Sequence, residues 1–448
     1  MNNPIKIIVV GGNAAGPAAA AKGKRVNPSA DVKMFEAGEY ISTGTCEIPY
    51  VLSGDIKNYE DILYFSPESF KEKKGVDVYT KHFVEEINTQ SKYIIVKDLL
   101  DGITRQFQYD KLILATGSKP KVIESISEAK NVFTLTSVKD LIEINNFITT
   151  NKVKSAAIIG SGYIGLEVMD SLQKLGIDVT VIEKEKLPLP YAEMEIQHLI
   201  LELLNQNDIR FCGEVADFKP VFSDGNVRSL NINGRIFEPD LILVSIGFTP
   251  NNLLSLKAKL ATGKSGGITV DMKLKTSNPH IFAAGDCIEV MNALTNKPSY
   301  IPLATLAHEY GHAAGENAAG GNVRILPVVK NIAVKILDKF FVSVGLSSKE
   351  AAEYSFKFNS VSKITNNLVP VMPGSEKVFG KIIYENESGR ILGSSFLGGK
   401  EVSGYGDIIS ALIRTKQKVS ALSDINYNYT PPLSPFINLL SLLGRKVK

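Results

Sequence analysis

The feature that most narrows the fold of this chain is a glycine-rich turn at residues 160–165. Ala156-Ala157-Ile158-Ile159 runs into Gly160-Ser161-Gly162-Tyr163-Ile164-Gly165, and a helical pattern continues to about Leu175. A further apolar run, Asp178-Val179-Thr180-Val181-Ile182, ends in Glu183, 18 residues beyond Gly165. The glycines allow a tight strand-to-helix turn whose backbone N–H groups and helix N-terminus face a pyrophosphate. The acid at the strand end accepts hydrogen bonds from ribose hydroxyls. A glycine pattern alone says little, but with the strand, helix and acid at these spacings it makes a dinucleotide-binding βαβ unit the expectation.

A second beginning of the same kind opens the chain. Ile5-Lys6-Ile7-Ile8-Val9-Val10 leads into Gly11-Gly12, an alanine-rich helix follows from Ala14 to about Arg25, and Asp31-Val32-Lys33-Met34-Phe35 ends in Glu36. Asn13 stands where the middle glycine of the pattern belongs, with Ala15 and Gly16 after it. An apolar run near the N-terminus resembles a secretory leader, but a leader does not turn through Gly-Gly-Asn into an alanine helix. Two such units about 150 residues apart imply two dinucleotides. Three shorter strands end in small-residue turns: Ala115-Thr116-Gly117, Ser245-Ile246-Gly247, and Ala284-Gly285-Asp286. The acid of the last suits a hydroxyl-rich ligand.

The bulk properties exclude several alternatives. A net charge of +3 over 448 residues gives no basis for a nucleic-acid or membrane-surface partner. No stretch approaches the ~18 apolar residues of a membrane span. Three cysteines, Cys46, Cys212 and Cys287, form no CxxC pair, which points to a reducing compartment and a cytoplasmic protein. Cys212 and Cys287 read as structural. Cys46 lies in Ser42-Thr43-Gly44-Thr45-Cys46-Glu47-Ile48-Pro49-Tyr50, a small-residue loop running into the first turn of a short helix. A thiol at a helix N-terminus is expected to have a lowered pKa and a larger share of nucleophilic thiolate. His308-Glu309-Tyr310-Gly311-His312 matches the HExxH zinc-hydrolase pattern. That makes a metallohydrolase the remote alternative, although a surface helix with chance histidines explains the match better and no metal is expected.

With these motifs together, the chain resembles the pyridine nucleotide–disulfide oxidoreductases, and within them the single-cysteine branch of coenzyme A disulfide reductases, NADH oxidases, NADH peroxidases and persulfide reductases. The resemblance implies an α/β fold with two Rossmann-like domains and a C-terminal α+β dimerisation domain. The FAD domain is expected over 1–117 and 245–325, the NAD(P)H domain over 118–244, and the dimerisation domain over 326–448. The resemblance implies FAD held through Gly11, Gly12, Ala15, Gly16, Glu36, Val84, Ala115, Thr116, Gly117, Gly285, Asp286, Pro302, Leu303 and Ala304. NADH or NADPH would lie along Gly160, Gly162, Ile164, Gly165, Glu183 and Gly247, with Glu183 favouring NADH and Tyr163 swinging aside to admit it. The helix after Gly285-Asp286 is then one that starts near the flavin.

The resemblance also makes Cys46 the redox-active residue facing the flavin. Dithiol members carry a second cysteine five residues on, where this chain has Val51. The oxidised form is therefore a mixed disulfide, persulfide or sulfenic acid. Asn13 occupies the position of a histidine that assists peroxide reduction in peroxidase-like members. Ser42, Thr45, Pro49 and Tyr50 around the cysteine, and Arg25, resemble coenzyme A contacts. Tyr427-Asn428-Tyr429-Thr430-Pro431-Pro432 resembles the family's Tyr-x-Pro-Pro segment, with Tyr427 near substrate and Tyr429 reaching the cysteine of the second subunit of a homodimer to protonate a departing thiolate. Val371-Met372-Pro373-Gly374 and Gly404-Tyr405 depart from the pattern of the coenzyme A enzymes. The expected substrate is a small-molecule thiol's disulfide or persulfide, of the coenzyme A disulfide type; the alternative is oxygen or peroxide reduction through a sulfenic acid. No fused rhodanese-like extension is expected.

Overall fold

Parallel strands covered on both faces must be apolar along their whole length, and the short β-branched runs of this chain meet that demand. The computed structural model describes residues 4–447. In it, Ile7 to Val10 and Leu112 to Leu114 are buried, as are Ala156 to Ile159 and Leu241 to Val244. They form the centres of two five-stranded parallel sheets. The first has the order Ile281–Ala283, Lys111–Leu114, Lys6–Val10, Asp31–Phe35, Asp77–Tyr79. The second runs Val132–Phe133, Leu241–Val244, Ser155–Ile159, Asp178–Ile182, Arg210–Cys212. The chain passes between the two sheets twice, and the passing segments Ser118–Pro120 and Phe248–Pro250 pair as an antiparallel ribbon.

The helix Ala15–Val26 turns its small residues inward and lies against the long helix Ala304–Ala318. The third five-stranded sheet is antiparallel, in the order Asn331–Ile336, Lys339–Gly345, Ile391–Gly398, Lys377–Glu385, Phe358–Asn366. One of its faces carries the helices Glu401–Arg414 and Leu439–Arg445 over a core that includes Val342, Phe396 and Ile409. Its other face sends Phe341, Phe379 and Leu397 into a core shared with Leu166, Met169 and Leu172 of the helix Tyr163–Lys174. The short helix Ile48–Leu52, which follows Cys46, puts Ile48, Val51 and Leu52 into this same core. Residues distant in sequence thus fix the cysteine loop from two sides.

Three ion pairs, made by two lysines, join the second sheet's unit to the third sheet. Lys335 Nζ lies 2.6 Å from Asp170 Oδ2. Lys381 Nζ lies 2.8 Å from Glu193 and 2.9 Å from Glu195, and Glu193 also accepts from the backbone N–H of Ser348 at 2.7 Å. Among the described residues no helix is long and apolar enough to cross a membrane.

Candidate active site

Both glycine turns are built the same way. Gly11 has φ +109°, and a Cβ there would stand 2.1 Å from the carbonyl oxygen of Ala115. Gly160 has φ +104°, and its Cβ would stand 2.4 Å from that of Ser245. Each turn therefore rests on the end of the neighbouring strand, where no side chain fits and where positive φ favours glycine. Asn13 does not disturb the first turn, because its side chain projects outward and accepts a hydrogen bond from Thr43 Oγ1 at 2.8 Å. That link ties the turn to the loop carrying Cys46.

The acids that end the second strands lie beneath their turns. Glu36 Oε2 accepts from Gly12 N and its Oε1 from Gly38 N, each at 2.6 Å. Glu183 is buried; its Oε2 accepts from both Ser161 N and Ser161 Oγ, and its Oε1 from Glu185 N at 3.1 Å. Ile164 and Gly247, with Ile158, Leu243 and Ser245, line an apolar slot beside the second turn. Tyr163 at the helix start is partly buried, with its ring stacked on Phe341 at 6.2 Å.

On the first side, Thr116 Oγ1 donates to Asn251 O at 2.7 Å, which fixes the Ala115-Thr116-Gly117 turn. Gly285 packs on Ala15, and Asp286 accepts from Ser118 Oγ at 3.4 Å. Burial raises the pKa of Asp286, with Ser118 partly offsetting the rise. Val84 is buried in the first core at a bulge between two strands. Pro302 and Ala304 are exposed where the long helix begins, with Leu303 between them. The hydroxyls of Ser42 and Tyr300 are buried without a hydrogen-bond partner among the described residues, and Ser42 holds φ +50°. Side-chain-free turns, unpartnered hydroxyls and a desolvated acid fit a ligand rich in phosphates and hydroxyls. Ser118 and Tyr300 carry no recognisable sequence signal, since a lone Ser or Tyr in a loop belongs to no pattern, and Ser161 stands at a variable position of the glycine turn.

Cys46 is exposed and unpaired; Cys212 is half-buried on an edge strand, and Cys287 is fully buried with its thiol turned to the carbonyls of Ala284 and Leu114. Two expectations for Cys46 need correction. It lies in a 3-10 turn, Thr45–Glu47, ahead of the helix Ile48–Leu52 rather than in that helix's first turn. Its thiol is also pushed up, not down: the surrounding protein desolvates it, and the carboxylates of Glu47, Glu167 and Asp286 add to the rise. A five-residue helix has too small a dipole to outweigh that desolvation together with three carboxylates. Tyr50 Oη donates to Glu167 Oε1 at 3.3 Å, and Ser171 Oγ donates to Pro49 O at 2.7 Å, so the cysteine turn is fastened to the helix Tyr163–Lys174.

Other expected contacts are dispersed. Arg25 is exposed at the end of its helix and faces His312. Thr45 begins the cysteine turn. Tyr427 is partly buried against the third core and donates to Leu422 O at 2.9 Å. Tyr429 is exposed, its ring edge-on to Phe436. His308 and His312 meet edge-on, with ring centroids 4.6 Å apart. Among the described residues, no three His, Cys, Asp or Glu side chains gather as a metal site.

The model of the pyridine nucleotide-disulphide oxidoreductases matches residues 5–311. The chain belongs to this family. As a family member it is an FAD-dependent NAD(P)H oxidoreductase. It is 30% identical over 447 residues to the "NAD(P)H sulfur oxidoreductase (CoA-dependent)" of Pyrococcus furiosus, covering 99% of each chain. It is 28% identical to the coenzyme A disulfide reductase of Staphylococcus aureus, covering 99% of this chain and 100% of that one. Its fold matches a water-forming NADH oxidase from Lactobacillus brevis bound to NADH, with TM-score 0.91 and 27% identity, over 99% of this chain and 98% of that one. The two parallel sheets are thus the dinucleotide-binding halves of a pyridine nucleotide-disulphide oxidoreductase.

Proposed function

We propose that this oxidoreductase reduces the disulfide or persulfide of a small thiol, of the coenzyme A type, through Cys46. The observation that carries the reading is the exposure of Cys46 at the junction of the first sheet's unit, the helix Tyr163–Lys174 and the third sheet, while Cys212 and Cys287 are set into the framework. Val51, five residues on, is buried, so the turn offers one thiol. FAD, when bound, relays two electrons from the nicotinamide to sulfur.

In this reading the chain's own residues divide the work. Gly11, Gly12, Ala15, Gly16, Glu36, Val84, Ala115 to Gly117, Gly285, Asp286 and Pro302 to Ala304 hold FAD. Gly160, Gly162, Ile164, Gly165, Glu183 and Gly247 hold the nicotinamide dinucleotide, and Tyr163 leaves Phe341 to admit it. Cys46 attacks the incoming disulfide or persulfide, and Ser42, Thr45 and Arg25 line the approach. The domain limits follow the same division: 1–117 and 245–325 for FAD, 118–244 for NAD(P)H, and 326–448 for dimerisation.

The protein acts as a cytoplasmic homodimer in which Tyr429 protonates the thiolate leaving from the second subunit's Cys46. Exposed Tyr429, Leu433, Phe436 and Ile437 along one C-terminal segment support this, because a second copy would remove them from water. The test is anaerobic turnover of the FAD-loaded protein with NADH against coenzyme A disulfide, coenzyme A persulfide, polysulfide, peroxide and, separately, oxygen. Sulfur substrates should turn over at least tenfold faster than peroxide or oxygen; the reverse order would overturn the proposal.

A further inference from the structure

At the starts of its strands the second sheet departs from the apolar pattern that buried parallel strands require. Thr180 pairs with Arg210 on the neighbouring strand and Ser155 pairs with Asp178, so these four side chains share one face. Nearer the glycine turn the same face is apolar, where Ala157, Ile159 and Ile182 pack against Val227, Leu230 and Ile232. The last three belong to an antiparallel ribbon, Phe218–Ser223, Asn226–Ile232 and Arg235–Phe237. This ribbon covers the sheet where the doubly wound plan places a helix. It stops short of the strand starts and leaves a cleft of about 380 Å³, lined by Thr180, Arg210, Arg235, Phe237, Asp178 and Glu238 among others.

The cleft is equipped to hold an anion. Thr180 on its floor is only 7% exposed, yet its hydroxyl has no hydrogen-bond partner among the described residues. Arg235 and Phe237 alternate along one strand and so lie on the same side of it. The Arg210 guanidinium stands 5.9 Å from the centre of the Phe237 ring, which brings both arginines to one wall. Among the described residues neither guanidinium forms an ion pair or a side-chain hydrogen bond, and Asp178 and Glu238 are exposed without engaging them. We propose that this cleft binds a sugar phosphate, free or within a nucleoside monophosphate. The two planar guanidinium forks take the phosphate dianion. The Thr180 hydroxyl donates to the ligand, and the carboxylates of Asp178 and Glu238 accept from its sugar hydroxyls. Small-molecule pockets begin at about 300 Å³, so the volume suits such a ligand and exceeds what inorganic phosphate needs. The site is separate from the dinucleotides, because the glycine turn and Glu183 lie at the opposite ends of the same strands. Each strand is five residues long, which sets the two sites about 16 Å apart. The proposal is also independent of the reading of Cys46.

The test is isothermal titration calorimetry of the FAD-loaded protein in saturating NAD⁺, which fills both dinucleotide sites. The titrants are ribose 5-phosphate, AMP and inorganic phosphate. One equivalent of ribose 5-phosphate or AMP should bind per chain, about tenfold or more tighter than inorganic phosphate. Equal affinity for the two organic phosphates assigns the site to the sugar phosphate itself, and much tighter AMP assigns it to the nucleotide. Arg210→Gln and Arg235→Gln should each weaken binding about tenfold, the loss of one charge-assisted contact. Thr180→Val keeps the shape and should weaken it about threefold. All three variants should retain FAD and the parent KM for NADH, because the cleft is remote from the glycine turn. If one arginine variant loses FAD, the other and Thr180→Val carry the comparison. The inference is overturned if neither organic phosphate saturates the protein, or if neither binds more tightly than inorganic phosphate. Binding seen only without NAD⁺ would place the ligand in a dinucleotide site and overturn it as well. So would affinities that stay unchanged in the arginine variants.

Discussion

Ser161 donates to one oxygen of Glu183 twice, from its backbone N–H at 2.8 Å and from its hydroxyl at 2.7 Å. Glu183 is thereby fixed beneath the turn, and Ser161 acts as the residue that positions it. Ser161→Ala should raise the KM for NADH by about tenfold, the equivalent of one charge-assisted hydrogen bond near 1.4 kcal/mol, with kcat little changed. Glu183→Ala should shift preference toward NADPH, because the acid no longer repels the 2′-phosphate and exposed Lys184 and Lys186 remain nearby. Steady-state kinetics with both donors reads both effects. A wild-type enzyme already preferring NADPH would show that the lysines outweigh Glu183.

Cys46→Ser separates the two half-reactions. In the proposed reading the nicotinamide lies along the Gly160–Gly165 turn and Glu183, and hydride transfer to the flavin requires no thiol, so NADH should still bleach the yellow FAD-loaded variant in an anaerobic stopped-flow experiment. Turnover with disulfide or persulfide should fall by about three orders of magnitude or more, because a serine alkoxide is inaccessible near neutral pH. Cys212→Ser and Cys287→Ser should keep turnover, with some loss of stability for the buried Cys287.

Lys381 is the cation for buried Glu193, and both side chains are almost closed to solvent. Lys381→Met leaves that carboxylate unpaired and should destabilise the protein by about 3–5 kcal/mol. Adding Glu193→Gln should recover much of the loss. Urea unfolding of the FAD-loaded proteins measures both, and equal midpoints for wild type and Lys381→Met would refute the assignment.

Burial raises the pKa of Glu167, which predicts a pH dependence of stability with a definite sign. Between the ordinary value of 4.5 and about 7, the folded chain binds more protons at this group than the unfolded chain. Stability from this group is therefore full below that window and lost as pH rises through it. Glu167→Gln should flatten this decline, so the gap between its unfolding midpoint and that of wild type should favour the variant at pH 8 relative to pH 5.

The exposed apolar segment at Tyr429 to Ile437 tests the assembly. Phe436→Asp places a charge in the centre of that surface and should convert a dimer to monomer by light scattering, while FAD content stays near one per chain. If Tyr429 serves the second subunit, sulfur-substrate turnover should fall with dissociation. A monomeric wild type would remove the role given to Tyr429.

The sequence by itself determined both glycine turns, the strands feeding them and the singular position of Cys46. These depend on local chemistry: buried strands require apolar runs, a positive φ against a carbonyl favours glycine, and one cysteine without a near neighbour cannot form an internal disulfide. Tertiary structure decided the electrostatic state of that cysteine. Folding desolvates Cys46, and the charges of Glu167, 121 residues away along the chain, and Asp286, 240 away, add to the rise, so the short helix that promised a lowered pKa is outweighed. It also decided that Tyr427 bonds within its own core, that Ser161 holds Glu183, and that Lys381 neutralises Glu193. Each of these relations joins single polar residues with no periodicity or spacing. A charge buried by folding is governed by whichever groups the fold brings within a few ångströms, and chain order does not encode that proximity locally.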